Sequence, residues 1–195
     1  MISLRIVLAT ACLALLGACV GPARQEIGSF SEVGAGETVV VGRIELVPPL
    51  RKNEQKIQAL NSDTYENRIF LLTDEKYRIL KGEPATADFA GRIEATFGKN
   101  FFVRSESKPF FILGGVLFLE IGSSTNRAYF PGGLKVSIQP GDKAVYVGTL
   151  KYHRDEFFEF TKVAIEDDYD RANTEFRKKF GTKIPLRKSL LTRAK

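Results

Sequence analysis

Residues 134–152 read LKVSIQPGDKAVYVGTLKY, and this stretch decides the fold class. Leu134, Val136 and Ile138 alternate with Lys135, Ser137 and Gln139, the period of two that marks a half-buried strand. Pro140-Gly141 fits the two central positions of a type II turn, and 143–152 reads as a return strand.

The same pattern extends in both directions. Residues 38–47 set Val40, Gly42, Ile44 and Leu46 on one face and Val39, Val41, Arg43 and Glu45 on the other, and Pro48-Pro49 ends the run. Residues 51–60 are polar and read as a loop or a single helical turn. Residues 67–73 and 76–80 read as a strand and a shorter continuation, 91–98 as a half-buried strand, and 101–104 as its continuation after a turn at Gly98. The most apolar stretch, 109–121, holds Gly114-Gly115; it admits a two-residue hairpin turn, the preferred reading, or a bulge in one long strand. Residues 156–166 supply the last strand.

The periodicity changes only after Glu166. Tyr169, Ala172, Phe176 and Phe180 recur at helical spacing, Asp168 or Asp170 stands where an N-cap belongs, and Gly181 where a C-terminal glycine belongs. Short strands, frequent turns and no helical crossovers predict a mainly β chain: an antiparallel β-sandwich of the immunoglobulin or transthyretin kind, closed by one short C-terminal helix over 168–180.

Composition excludes several function classes. The chain has 195 residues, 44% of them hydrophobic and 27% charged, as in one ordinary globular domain. Two Cys and one His leave no ligand set for a structural zinc and no disulfide framework, and no phosphate-binding glycine loop is present. No cofactor is expected.

The N-terminus reads as an address. Residues 6–16 form an apolar run interrupted only by Thr10, too short for a bilayer that needs about 20 residues, and so resemble the core of a secretory signal peptide. Leu16-Gly17-Ala18-Cys19 directly after it resembles the lipobox of bacterial lipoproteins. That resemblance implies a diacylglyceryl group on the Cys19 thiol, cleavage between Ala18 and Cys19, and acylation of the new amine. Val20, rather than Asp, after the cysteine resembles the pattern of lipoproteins sent to the outer membrane, facing the periplasm. More than one acyl chain gives stable anchoring. Pro140-Gly141, the run 145–150 and Asp167-Asp168 before a helix resemble the end of uncharacterised β-sandwich lipoproteins of proteobacteria, which implies fold and compartment but no mechanism.

The domain organisation expected is a signal peptide over 1–18, a lipidated flexible tether over 19–37, a sandwich over 38–181 and a basic tail over 182–195. The tether reading rests on four Gly, two Ser and one Pro in 20–37. Residues 171–195 carry nine Lys or Arg against one acid, whereas 20–170 carry nineteen basic and twenty-two acidic residues. Lys183, Arg187, Lys188, Arg193 and Lys195, interleaved with Ile184, Leu186, Leu190 and Leu191, read as a solvated terminus, a contact for an anionic lipid surface, or a docking peptide for an envelope protein. Export makes nucleic acid an unexpected partner.

Three further constellations are weighed and set aside. His153 beside Asp155 and Glu156 could join Ser123 or Ser124 in a triad, but 152–155 reads as a polar connection between strands. Glu166, Asp167, Asp168 and Asp170 could hold calcium, but helix capping accounts for acids there. Residues 122–126, with Arg127 and Tyr129 beyond, could meet a glycan but read first as a turn. No metal site and no catalytic residue is therefore expected. The function expected is a membrane-anchored binding or assembly module of the envelope, with a cell-envelope hydrolase or a structural part of a secretion or conjugation complex as alternatives. Polar groups converging in a cleft would favour the hydrolase.

Overall fold

A computed structural model describes residues 23–24, 26–54, 67–80, 91–121 and 124–195. The alternating runs fold as strands: β1 (Ala23–Arg24), β2 (Glu37–Val47), β3 (Arg68–Asp74), β4 (Gly91–Thr96), β5 (Asn100–Glu106), β6 (Phe110–Ile121), β7 (Ser124–Val136), β8 (Ala144–Arg154), β9 (Phe160–Glu166), β10 (Leu186–Lys188) and β11 (Thr192–Arg193). One sheet has the order β1-β4-β3-β6-β7-β11 and the other β10-β8-β2-β5, with β9 also paired to β8. Inward side chains of both sheets, including Val40, Ile44, Leu71, Ile93, Leu117 and Val145, make the core of a sandwich. Among the described residues no helix is long and apolar enough to cross a membrane.

The turn at Pro140-Gly141 forms as its residues dictate. The Asp142 N–H donates to the Gln139 carbonyl at 3.1 Å, and Gly141 takes a φ of 90°, which a side chain would disfavour. The strand after it does not return beside β7, however. It crosses to the other sheet and runs parallel to β2, from Val39 opposite Ala144 to Val47 opposite His153. The Gly98 turn likewise carries the chain from β4 in one sheet to β5 in the other. Alternation fixes which face of a strand is buried, not which strand lies beside it, so the second sheet is mixed where an antiparallel one was expected. β8 also continues through His153 and Arg154, which were expected in the connection; that connection is residues 155–159.

Gly114-Gly115 is not a hairpin turn. β6 runs through it unbroken, and the pairing with β7 jumps from Ile112–Leu134 to Gly114–Pro131. Leu113 thus faces two residues, Gly132 and Gly133, in a bulge. A Cβ on Gly132 would lie 2.3 Å from the Gly114 nitrogen, so the two backbones approach where only glycine fits.

The outer face of β2 and β8 is buried as well. Helix α1 (Tyr169–Phe180) lays Ala172 and Phe176 over Val39, Val41, Phe102 and Tyr146. Gly181 ends it at a φ of 85°, with its N–H on the Arg177 carbonyl at 2.8 Å. Asp168 occupies the N-cap without a side-chain cap bond; Asp167 instead accepts the Tyr169 N–H at 3.1 Å.

Two segments read as peripheral are parts of the body. In the expected tether, β1 pairs with β4, Glu26 bridges to Val103, and the Ile27 N–H donates to the Phe102 carbonyl at 2.9 Å with Ile27 only 1% exposed. Arg24 lies over the Phe110 ring at 3.9 Å and donates to Thr73 and Ser105. In the expected tail, β10 extends along β8, the Ser189 and Leu191 N–H groups donate to the Tyr146 and Val147 carbonyls, and β11 pairs with β7. Leu191 is buried in the inter-sheet core and Leu186 under the helix. Each segment therefore ties an edge of one sheet to the other sheet. The free N–H and C=O groups of edge strands supply the driving force for such pairing.

Candidate functional site

A groove opens where the β7 bulge bends the first sheet. Residues 76–80, expected to prolong β3 as a strand, take no regular structure and form one wall instead. Asp74 holds their start, accepting from the Lys76 N–H at 3.1 Å and pairing with Arg78 at 3.3 Å, and Tyr77 packs on Phe111 with ring centroids 5.7 Å apart. Gly115, Gly132 and Gly133 leave the floor bare of side chains, while Tyr129 and Phe160 line it from β7 and β9. The cavity measures about 490 Å³. Ile79 is 75% exposed over it, and Arg78 is the one charged residue lining it among the described residues.

The floor is stiffened from beneath. Phe130 packs between Tyr152 and Phe160, at centroid distances of 4.9 and 4.4 Å, and the Tyr152 hydroxyl donates to the Pro131 carbonyl at 3.0 Å. Burial pushes the Tyr152 hydroxyl well above the ordinary tyrosine range, with the charge of Arg193 opposing it, so this donor keeps its proton. The Ala194 N–H donates to the Gly133 carbonyl at 2.8 Å, and Arg193 stands opposite core-facing Leu134 in the β11–β7 pairing.

The five basic residues singled out in the C-terminal segment are thereby separated. Arg187 forms a two-point ion pair with Asp142, at 2.7 and 2.6 Å, and donates to the Ser137 carbonyl at 3.1 Å. The hydrogen bond from Arg187, outweighing partial burial, holds the Asp142 carboxyl below the ordinary aspartate range. Lys188 pairs with Asp167 at 2.6 Å. Both spend their charge within the fold. Lys183, Arg193 and Lys195 have exposed side chains.

The acidic cluster before α1 is likewise used internally. Glu166 pairs with Lys151 at 2.6 Å, Asp167 with Lys188, and Asp168 with Arg171 and the Thr149 hydroxyl. No three His, Cys, Asp or Glu side chains are grouped to hold a metal among the described residues. His153 sits within β8, opposite Val47 and Lys162. Beside it Arg154 is buried in a two-point pair with Glu54, at 2.7 and 3.3 Å, and also donates to the Pro48 and Pro49 carbonyls. Asp155 accepts the N–H groups of Phe157 and Glu159 and so shapes the turn after β8. Of the proposed triad partners, Ser123 lies outside the described residues, and Ser124 begins β7. Ala18 and Cys19 also lie outside them.

Tyr77, Ile79 and Phe160 were not singled out from the sequence. The signal that could have found them is the pair of doublets Gly114-Gly115 and Gly132-Gly133, which lie close to each other on the paired strands β6 and β7, Gly114 opposite Pro131 and Gly115 opposite Phe130. No protein-family model matches the chain, and neither a curated protein nor a solved structure does.

Proposed function

We propose that this chain is an envelope lipoprotein, anchored through Cys19 in the outer membrane and facing the periplasm, that works by binding a partner or ligand rather than by catalysis. The lipobox resemblance of Leu16-Gly17-Ala18-Cys19 directly after an eleven-residue apolar run carries the anchor. The geometry adds a consequence. Only residues 20–22 separate Cys19 from strand-paired Ala23, so at about 3.6 Å per extended residue the Ala23 Cα lies within about 14 Å of the Cα of the acylated cysteine. A flexible tether would give a reach several times longer; a short link holds one end of the sandwich at the membrane. The groove, walled by Tyr77 and Ile79 and lined by Tyr129 and Phe160, supports the binding reading.

Radiolabelled palmitate tests it. Wild-type chain incorporates the label and is processed, and Cys19→Ser leaves an unlabelled precursor. Label retained by Cys19→Ser would refute the anchor.

A further inference from the structure

We infer that the sandwich rests on the bilayer through residues 76–80, with Ile79 inserted among the acyl chains and Tyr77 at the headgroup level. This rests on the anchored reading and goes beyond it by naming the face that meets lipid. β1 runs parallel to β4, so the chain enters the sheet from the Gly91 end, with Ala23 opposite Arg92. β3 is antiparallel to β4 and leaves at that same end, Thr73 opposite Gly91, to deliver Asp74 and then 76–80. Ala23, Arg92 and Leu72 form one row across the sheet, and Asp74 stands two residues beyond Leu72. At about 4.8 Å per strand and about 3.3 Å per residue, the Ala23 and Asp74 Cα atoms are about 12 Å apart. The Cα of the acylated cysteine lies within about 14 Å of Ala23, so a bilayer holding its acyl chains is within reach of 76–80.

The segment is built for an apolar interfacial contact. Among the described residues the large exposed hydrophobics are Val47, Tyr77, Ile79 and Phe157. Tyr77 and Ile79 belong to the anchored end, whereas Val47 and Phe157 belong to the opposite end, where β2 and β8 finish side by side. Tyr77 is pinned on Phe111, and Leu80 on Leu72, Leu113 and Val116, which leaves Ile79 held out between them at 75% exposure. Asp74 is paired with Arg78, and Lys108 with both Glu75 and Glu106, so these carboxylates do not meet the headgroups bare. The long stems of exposed Lys76 and Arg78 keep their charge among headgroups while Ile79 sinks below them.

A partner protein is the competing occupant, and the short link argues for the bilayer. A surface tethered within about 14 Å is present at high effective concentration whether or not any partner is.

The chain has no tryptophan, so one introduced residue reports its own depth. Residues 19–195 have Cys19 as their single thiol and can be coupled through it to maleimide lipid in phosphatidylcholine vesicles, whatever a cell does to that cysteine. On coupling, Ile79→Trp emission should shift to the blue and be quenched by lipid brominated along its acyl chains, at low and high salt alike. Phe157→Trp, at the far end, should show neither effect. With Tyr77→Trp as the reporter, Ile79→Ser should lower the docked-to-free ratio about tenfold, the least that burying an isoleucine side chain supplies. An unquenched Ile79→Trp, equal quenching at both ends, docking indifferent to Ile79→Ser or abolished by salt, or a blue shift without quenching, the mark of a protein neighbour, would each overturn the inference. Any of these with palmitate incorporated in cells overturns the membrane face and leaves the anchor. Quenching intact without palmitate label overturns the anchor and leaves the affinity of this face for lipid standing.

Discussion

Replacing Leu191 by Ala should cost the domain about 2–5 kcal/mol, the range for truncating a buried leucine without full collapse of the space it leaves. Leu191 is 5% exposed and lies in the inter-sheet core, held there by its own N–H on the Val147 carbonyl at 2.9 Å. A domain of this size has about 5–15 kcal/mol in total, so the loss is a large fraction of it. At roughly 2–4 °C per kcal/mol the thermal midpoint should fall by on the order of 5–15 °C. Urea titration of residues 20–195 followed by far-UV circular dichroism reads the change directly. Lys183→Ala and Lys195→Ala, at exposed positions of the same segment, should leave the midpoint in place. A basic tail lying free in solvent predicts no effect from any of the three. Leu191→Ala unfolding at the wild-type urea concentration would therefore refute the packing of this segment into the core.

Asp142→Asn should destabilise at neutral pH by about 1–3 kcal/mol, through loss of the charge-assisted pair to Arg187. The carboxyl is held below its unfolded value, chiefly by that bond, so its contribution is full above the ordinary aspartate range near 4 and is lost as pH falls through the folded value. Stability curves of the two chains should converge in acid; a gap persisting there would be inconsistent with the pair. Glu54→Leu leaves buried Arg154 unpaired and should cost about 3–5 kcal/mol, and the double variant with Arg154→Met should recover much of it, since Arg154 is only 1% exposed in its side chain. Denaturation of the double variant below the single one would contradict that. Gly132→Ala drives a Cβ into the β6 backbone and should lose at least about 3 kcal/mol, whereas Gly141→Ala meets only its positive φ and should lose less; the reverse order would remove the close-approach argument.

The elements that the sequence announced are those whose signal is local and long. Alternation over ten residues marked β2, helical spacing of Ala172 and Phe176 marked α1, and Pro140-Gly141 marked its turn and the strand β8 that follows it. Pairing was not legible, because a buried face is encoded in side-chain order but a neighbour is chosen by tertiary packing. This is why the strand after Gly141 changes sheet. The terminal pairings were missed for a different reason: β1 and β11 have two residues each and β10 three, too short for any period to register. Their glycine, serine and lysine content describes solvated chain equally well, and only Ile27, Leu186 and Leu191 betray burial. The groove shares this origin. It arises from a register jump between glycines and from residues 76–80 leaving the sheet, neither of which leaves a periodic mark.

The mass of the intact chain extracted from membranes decides whether this sandwich is held at the envelope as proposed. The expected species begins at Cys19 and carries a diacylglyceryl thioether with an acylated amine, with no mass corresponding to residues 1–18. A chain that retains residues 1–18, or one that begins at Cys19 with an unmodified thiol, would contradict it.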